Sequence, residues 1–201
     1  WAERQMWAPD AACKDGKYYL YFPAKRADGI FQIGVAISDS PIGPFIPEPE
    51  AIAGSYTIDP AVFEDEDGKF YMYFGGIWGG QLQKYRNNKY ADENEEPTGN
   101  EPALGPIVAQ LSDDMKQFAE EPKEIKILDE NGEILVAADN DRRFFEASWM
   151  HKYNGKYYFS YSTGDTHFIC YATGDNPYGP FTYQGRILNP VIGWTSHHSI
   201  C

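Results

Sequence analysis

The sequence predicts an all-β fold of the propeller type, built from a repeated four-stranded antiparallel unit. Three observations predict it. A hairpin segment recurs as Asp15-Gly-Lys-Tyr-Tyr-Leu-Tyr-Phe22, Asp67-Gly-Lys-Phe-Tyr-Met-Tyr-Phe74 and Asn154-Gly-Lys-Tyr-Tyr-Phe-Ser-Tyr161. A turn recurs as Ser40-Pro-Ile-Gly-Pro-Phe45 and Asn176-Pro-Tyr-Gly-Pro-Phe181. Aromatic residues make up 16% of the chain, and no helical period persists over a dozen residues.

Each unit reads in the same order. A short apolar stretch comes first: Ala11-Ala12-Cys13, Ala61-Val62-Phe63 or Trp149-Met150-His151. Asp-Gly or Asn-Gly follows, a pair that favours the positive φ angles of a tight hairpin turn. An aromatic-rich second strand leaves the turn. Third strands follow at Ile33–Ser38 and Phe168–Thr173, and a fourth departs from each Pro-Phe. In the middle unit, Ile107–Ser112 and Met115–Phe118 take these parts. The turn glycines Gly16 and Gly68 are 52 residues apart, whereas Gly68 and Gly155 are 87 apart. The middle unit therefore carries an insertion, placed at Asn87–Gly105, acidic and without apolar period. Four strands per unit at this spacing is the signature of propeller blades. A sandwich stays open as the other all-β solution. The blades read as 7–52, 59–128 and 146–190, with the first strand of another from His197. Three blades cannot close a ring, and both ends read as cut, so a complete propeller is expected to need residues beyond them.

Composition narrows the function. The 201 residues are 42% hydrophobic, enough for a sizeable core. A net charge of −13 disfavours nucleic acid and anionic membrane surfaces as partners. No apolar run reaches the length of a membrane span. Cys13, Cys170 and Cys201 have no C-x-x-C spacing and give neither a disulfide framework nor a zinc signature; Cys13 and Cys170 read as buried small hydrophobes. The compartment is not legible.

Aligning units on the turn glycine brings out two carboxylates. Asp59 lies nine residues before Gly68, and Glu146 nine before Gly155. Both open the first strand of their unit, and in a propeller the first strands line the central channel. Asp59 precedes Pro60 and could cap a turn. Glu146, between Phe145 and Ala147, is a poor opener for an apolar strand. Two convergent carboxylates suit glycosidic cleavage, in which one acid protonates the leaving oxygen. A neighbouring negative charge and burial would hold that acid protonated near neutral pH.

These residues resemble glycoside hydrolase family 43. The resemblance rests on Trp7-Ala-Pro-Asp10, Ile58-Asp-Pro-Ala-Val-Phe63, Phe145-Glu-Ala-Ser-Trp149 and His197-His-Ser-Ile200, in that order. It implies a five-bladed propeller and inverting, exo-acting hydrolysis of xylan-derived saccharides, as a β-xylosidase or an α-L-arabinofuranosidase. It implies that Glu146 is the general acid and Asp59 the carboxylate that tunes it, with Trp7 lining the sugar pocket. His197 resembles the channel histidine, in some members beside a metal, often calcium, with His198 as its competitor; no cofactor is otherwise required. Asp10, Ile58 and Trp78 complete the candidate substrate-binding set. The chain has Glu146-Ala-Ser where the family often has Glu-Gly-Pro. The family's general base is an Asp of the first blade; Asp10 matches the second, so the base is expected upstream of Trp1. A non-catalytic sugar-binding propeller is the rival reading.

Other signals are weaker. Glu64-Asp-Glu-Asp-Gly68 lacks the full spacing of a calcium loop and reads as a hairpin turn. Asp139–Arg143 reads as a solvated loop or a set of sugar contacts. Trp78, Trp149 and Trp194 are candidate stacking platforms, with core packing the stronger reading for Trp149. His151 and His167 read as strand-surface residues. No esterase elbow, zincin helix or P-loop occurs.

Overall fold

The computed structural model describes residues 1–190 and 196–200. Trp194 and Cys201 lie outside them. The described residues form three sheets of mainly antiparallel strands and no α-helix.

The first sheet has the order β1 (Asp10–Lys14), β2 (Lys17–Lys25), β3 (Phe31–Ser38) and β4 (Ile46–Pro47). The second contains β5 (Ala61–Glu64), β6 (Phe70–Phe74), β7 (Ile107–Gln110) and β8 (Lys123–Glu124). In the third, β10 (Phe144–Tyr153), β11 (Lys156–Thr163), β12 (Ile169–Gly174) and β13 (Phe181–Leu188) are followed at the outer edge by β9 (Ile127–Leu128). Strand β9 runs parallel to β13, pairing Ile127 with Phe181. The end of the span read as the second unit thus seals the third sheet instead.

Two of the three repeated hairpins are tight turns. Lys14 pairs with Lys17 and Tyr153 with Lys156, and the residues between, Asp15-Gly16 and Asn154-Gly155, all have positive φ. The middle turn is longer. Glu64 pairs with Phe70, and Asp65 N–H donates to the Lys69 carbonyl at 2.9 Å. The fourth strand of the second sheet is Lys123–Glu124, not Met115–Phe118, which forms a turn closed by a bridge from Leu111 to Phe118. Between β6 and β7 three single-turn 3-10 helices, Trp78–Gly80, Leu82–Lys84 and Arg86–Asn88, lead into the insertion.

The aromatic strands fill the core because their inward faces meet between sheets. Tyr21, Tyr73, Phe74, Phe159, Tyr161 and Phe181 are fully buried. Tyr73 Oη donates to the Pro177 carbonyl, which satisfies a phenol otherwise stranded between the second and third sheets. Asp65, also buried, accepts from Lys152 Nζ at 2.8 Å and Tyr157 Oη at 2.5 Å, so the acidic hairpin is a sheet-to-sheet clamp. Cys170 is buried as expected, but Cys13 is exposed, because the alternation along β1 turns it outward. Strand β5 packs against β1 on one side and β10 on the other, so the first strands of the three sheets are neighbours.

Candidate active site

Asp59 and Glu146 reach one cavity of about 440 Å³, also lined by Trp7, Ala8, Ile58, Ile77, Trp78, Gly79, Gly80, Phe145 and His197. Local backbone geometry aims these side chains. Strand β10 carries an irregularity at Glu146: Phe144 pairs with Thr163, Glu146 with Ser162, and Trp149 with Ser160. One extra residue on β10 on each side of Glu146 is the signature of a bulge, which re-aims a side chain. Ala147 accordingly has φ 58°. Thr57, Asp59 and Trp78 also sit in the left-handed region, at 57°, 55° and 56°. Non-glycine residues rarely adopt it, and such strain gathers where a site over-determines the backbone.

Contacts between elements hold the wall together. Ile77 N–H donates to the Phe145 carbonyl at 3.0 Å, and Gly75 N–H to the Ile58 carbonyl at 2.8 Å. Thr57 Oγ1 accepts from Gly76 N–H at 3.0 Å. Gly76, Gly79 and Gly80 permit close packing: a Cβ at 76 would fall 2.5 Å from the Ile58 side chain, at 80 2.7 Å from it, and at 79 3.3 Å from the Trp7 ring. Ile58 is therefore a buried strut of the floor as much as part of the lining. Trp7 and Trp78 stand at the opening, 37% and 39% exposed. Trp7 is braced by Phe31 and Trp78 by Phe145, with ring centroids 4.8 and 5.1 Å apart.

Glu146 is held protonated. Burial and then the charge of Asp59 push its pKa up to about 8. Burial also raises Asp59, opposed by His197 and by the Ala147 N–H, which donates to Asp59 Oδ2 at 2.9 Å. His197 Nδ1 lies 3.8 Å from the same oxygen. A carboxylate fixed by a backbone donor beside a protonated, half-buried carboxylic acid can serve acid catalysis at neutral pH.

Asp10 is not in this cavity. Its Oδ2 accepts from Val62 N–H at 2.6 Å, tying β1 to β5, and it lines a second hollow of about 530 Å³ with Pro9, Pro60, Trp149, His197, His198 and Ser199. Trp149 is half-buried on that hollow and not in the core; its Nε1 donates to the Ile200 carbonyl at 3.3 Å. Of the histidine pair, His197 borders both hollows. His198 is turned to Ser160, with Nε2 2.6 Å from Oγ, and burial lowers its pKa to about 4. Among the described residues, no group of three or more His, Cys, Asp or Glu side chains is placed to hold a metal ion. Calcium takes roughly six to eight oxygens. The second hollow offers one carboxylate, Asp10, already bonded to a backbone N–H. These residues do not compose a calcium shell of their own.

The remaining candidates are structural. Arg142 pairs with Asp139 and Glu130, and Arg143 is buried against Asn140, so the 139–143 loop braces the start of β10. His151 stacks on Tyr158. His167 is buried, with its ring edge on Phe145, and is not on a strand surface. Sequence reasoning missed Gln83, whose Oε1 accepts from Trp78 N–H at 2.9 Å, and Glu96, whose Oε2 accepts from Trp78 Nε1 at 2.9 Å.

Residues 1–190 match the family profile described as Glycosyl hydrolases family 43. The chain is 67% identical over 200 residues to a xylosidase/arabinosidase of Bacteroides ovatus and 62% identical over 200 residues to a β-xylosidase of Xylanibacter ruminicola, covering 100% of itself and 62% of each relative. Among solved structures it resembles a GH43 enzyme from Xanthomonas citri complexed with xylose, with a TM-score of 0.98 and 66% identity over 100% of this chain and 61% of that one. It also resembles a GH43 β-xylosidase/α-arabinofuranosidase from a compost microbial metagenome, in complex with xylotriose and in calcium-free form. There the TM-score is 0.97 and the identity 68%, over 100% of this chain and 62% of that one. The chain spans about three fifths of the length of the curated relatives it matches.

Proposed function

The chain belongs to glycosyl hydrolases family 43, and from that premise we propose that it forms part of a five-bladed propeller that hydrolyses xylan-derived saccharides as an exo-acting, inverting β-xylosidase. In this reading the blades follow the spans 7–52, 59–128 and 146–190, except that Ile127–Leu128 joins the third blade and not the second. The observation that carries the reading is Glu146, a carboxylic acid with its pKa at about 8 in a cavity it shares with Asp59. The names of the relatives and the sugars bound to the similar structures support pentose chemistry.

In this reading Glu146 donates its proton to the glycosidic oxygen as the bond to the anomeric carbon breaks. Asp59 stays anionic on its Ala147 donor, keeps Glu146 protonated and favours the positive charge that develops on the sugar ring. Water attacks the opposite face, activated by a base outside the described residues, the two carboxyls standing roughly 6.5–9.5 Å apart to admit it. Trp7 and Trp78 offer ring surfaces at the mouth, Ile58 closes the floor, and His197 borders the sugar beside Asp59.

α-L-Arabinofuranosidase activity at the same site is the second reading, favoured by relatives named for both activities. The test is turnover by the full-length protein of nitrophenyl β-xyloside, nitrophenyl α-L-arabinofuranoside and xylobiose, with the product anomer followed by NMR. Release of α-xylose from xylobiose is expected. Binding of xylobiose without turnover would leave a carbohydrate-binding protein and sink the hydrolase reading.

A further inference from the structure

The acidic insertion touches the cavity wall through Glu96, which holds the lining residue Trp78. Residues 92–95 and 98–102 are exposed, whereas Glu96 and Pro97 are half-buried in a crevice bordered by Ile77, Leu104 and Arg143. The stretch is pinned on both sides of them. Arg86 donates to the Glu95 carbonyl at 3.4 Å, Thr98 N–H to Glu101 Oε2 at 2.7 Å, and Ala138 N–H to the Gly99 carbonyl at 2.9 Å. From this position Glu96 Oε2 accepts the indole N–H of Trp78 at 2.9 Å.

Trp78 needs holding. Its backbone is left-handed, at φ 56°, and its ring is 39% exposed at the cavity mouth. Gln83 clamps its backbone from both sides, accepting from Trp78 N–H at 2.9 Å and donating to its carbonyl at 3.3 Å. Phe145 meets the ring at an interplanar angle of 76°. The backbone is thus fixed and the ring has one aromatic neighbour, which leaves the swing of the indole about its side-chain torsions. A charged acceptor on the indole N–H removes that freedom. It also occupies the ring's one donor, so that the indole offers a π surface and not a hydrogen bond.

We infer that Glu96 is a positioning residue: it fixes the plane of Trp78 so that the indole forms a stacking platform for a sugar ring at the mouth of the Asp59–Glu146 cavity. This rests on the hydrolase reading only for the identity of the ligand. A platform already oriented costs no rotamer entropy when the sugar arrives, and an unfixed one does.

Xylotriose binding is measured by calorimetry on the full-length protein carrying Glu146→Gln, so that turnover does not intervene. Adding Glu96→Ala is expected to weaken binding about fivefold, the size of one hydrogen bond's net contribution. Glu96→Gln keeps an acceptor oxygen and is expected to bind within about twofold of the parent. Trp78→Phe removes the indole N–H, so Glu96→Ala should add nothing in that background. With Glu146 intact, Glu96→Ala should raise KM on xylobiose and leave kcat unchanged. Unaltered affinity in Glu96→Ala, or an undiminished loss in the Trp78→Phe background, would overturn the inference. Failure of the wild-type protein to hydrolyse any pentoside overturns the hydrolase reading alone, because the titration still reads the platform. A parent that binds no xylotriose overturns the platform alone, and the hydrolase reading then stands or falls on turnover by the wild type.

Discussion

The carboxylate of Asp59 accepts a 2.9 Å hydrogen bond from the backbone N–H of Ala147, the residue directly after Glu146. One bond thus joins the entry to β5 with the bulge of β10, and the backbone is left-handed at both of its ends. It explains how a buried carboxylate can sit beside a second one. The peptide dipole offsets part of the cost of burying the Asp59 charge. That charge then works on Glu146, whose chain neighbour supplies the donor.

Loss of the acid should show in the leaving group. Glu146→Ala in the full-length protein is expected to lower kcat/KM on xylobiose by roughly 10²–10⁴-fold, the usual worth of general acid catalysis. On aryl xylosides with strongly acidic phenols the loss should be far smaller, because such leaving groups depart without a proton. A Brønsted series over substituted phenols measures the difference. Equal losses across the series would remove Glu146 from that role.

Asp59→Asn keeps an oxygen for the Ala147 N–H and deletes the charge. Glu146 is raised first by burial and second by Asp59, so the substitution lowers its pKa without restoring the ordinary carboxylate value. The acid must be protonated to act, and activity therefore falls as pH rises through that pKa. The alkaline limb of the kcat/KM profile is expected near pH 8 in the wild type and at lower pH in the variant. A limb at the same pH in both proteins would separate Asp59 from the acid.

The same raised pKa costs stability. Below the ordinary glutamate range, Glu146 is protonated in folded and unfolded chains alike. Above it the unfolded chain releases the proton and the folded one keeps it, so stability declines as pH rises and levels off beyond about 8. Glu146→Gln does not titrate and escapes the decline. Thermal melts should show the two proteins alike at pH 4 and the variant about 5 °C higher at pH 8. A gap that is constant with pH would mean that Glu146 titrates alike in the folded and unfolded chains, so that its pKa is not raised.

Much of this arrangement is legible in the chain. Asp15-Gly16 and Asn154-Gly155 encode their turns through residues that tolerate positive φ. The matching offsets of Asp59 and Glu146 from Gly68 and Gly155 arise differently, from a longer turn after β5 and from extra residues along β10. What escapes is what depends on partners far along the chain. No local pattern tells that Ile127–Leu128 will leave its own sheet for the edge of β13, or that Trp149 will border a hollow. Glu96 is one acid among many in its stretch, and only the folded path of the insertion sets it against Trp78. Ala147 carries no signal at all, since its contribution is a backbone N–H.

The cavity floor should be sensitive to a single methyl group. Gly76 and Gly80 both face Ile58, and a Cβ at either would approach it closer than side chains ever pack, at 2.5 and 2.7 Å. Ile58 is buried, with little room to retreat except towards the hollow that it lines with Asp59 and Glu146. Gly80→Ala is therefore expected to drive Ile58 into the sugar space and raise KM on xylobiose about tenfold, the scale of 1–3 kcal/mol that overpacking costs. Ile58→Ala should restore KM in the Gly80→Ala protein, because it removes the atoms that the new methyl group displaces. Steady-state kinetics on the two single variants and the double variant decide it. A KM that stays high in the double variant would show that Gly80 is needed for its backbone and not for the space it leaves.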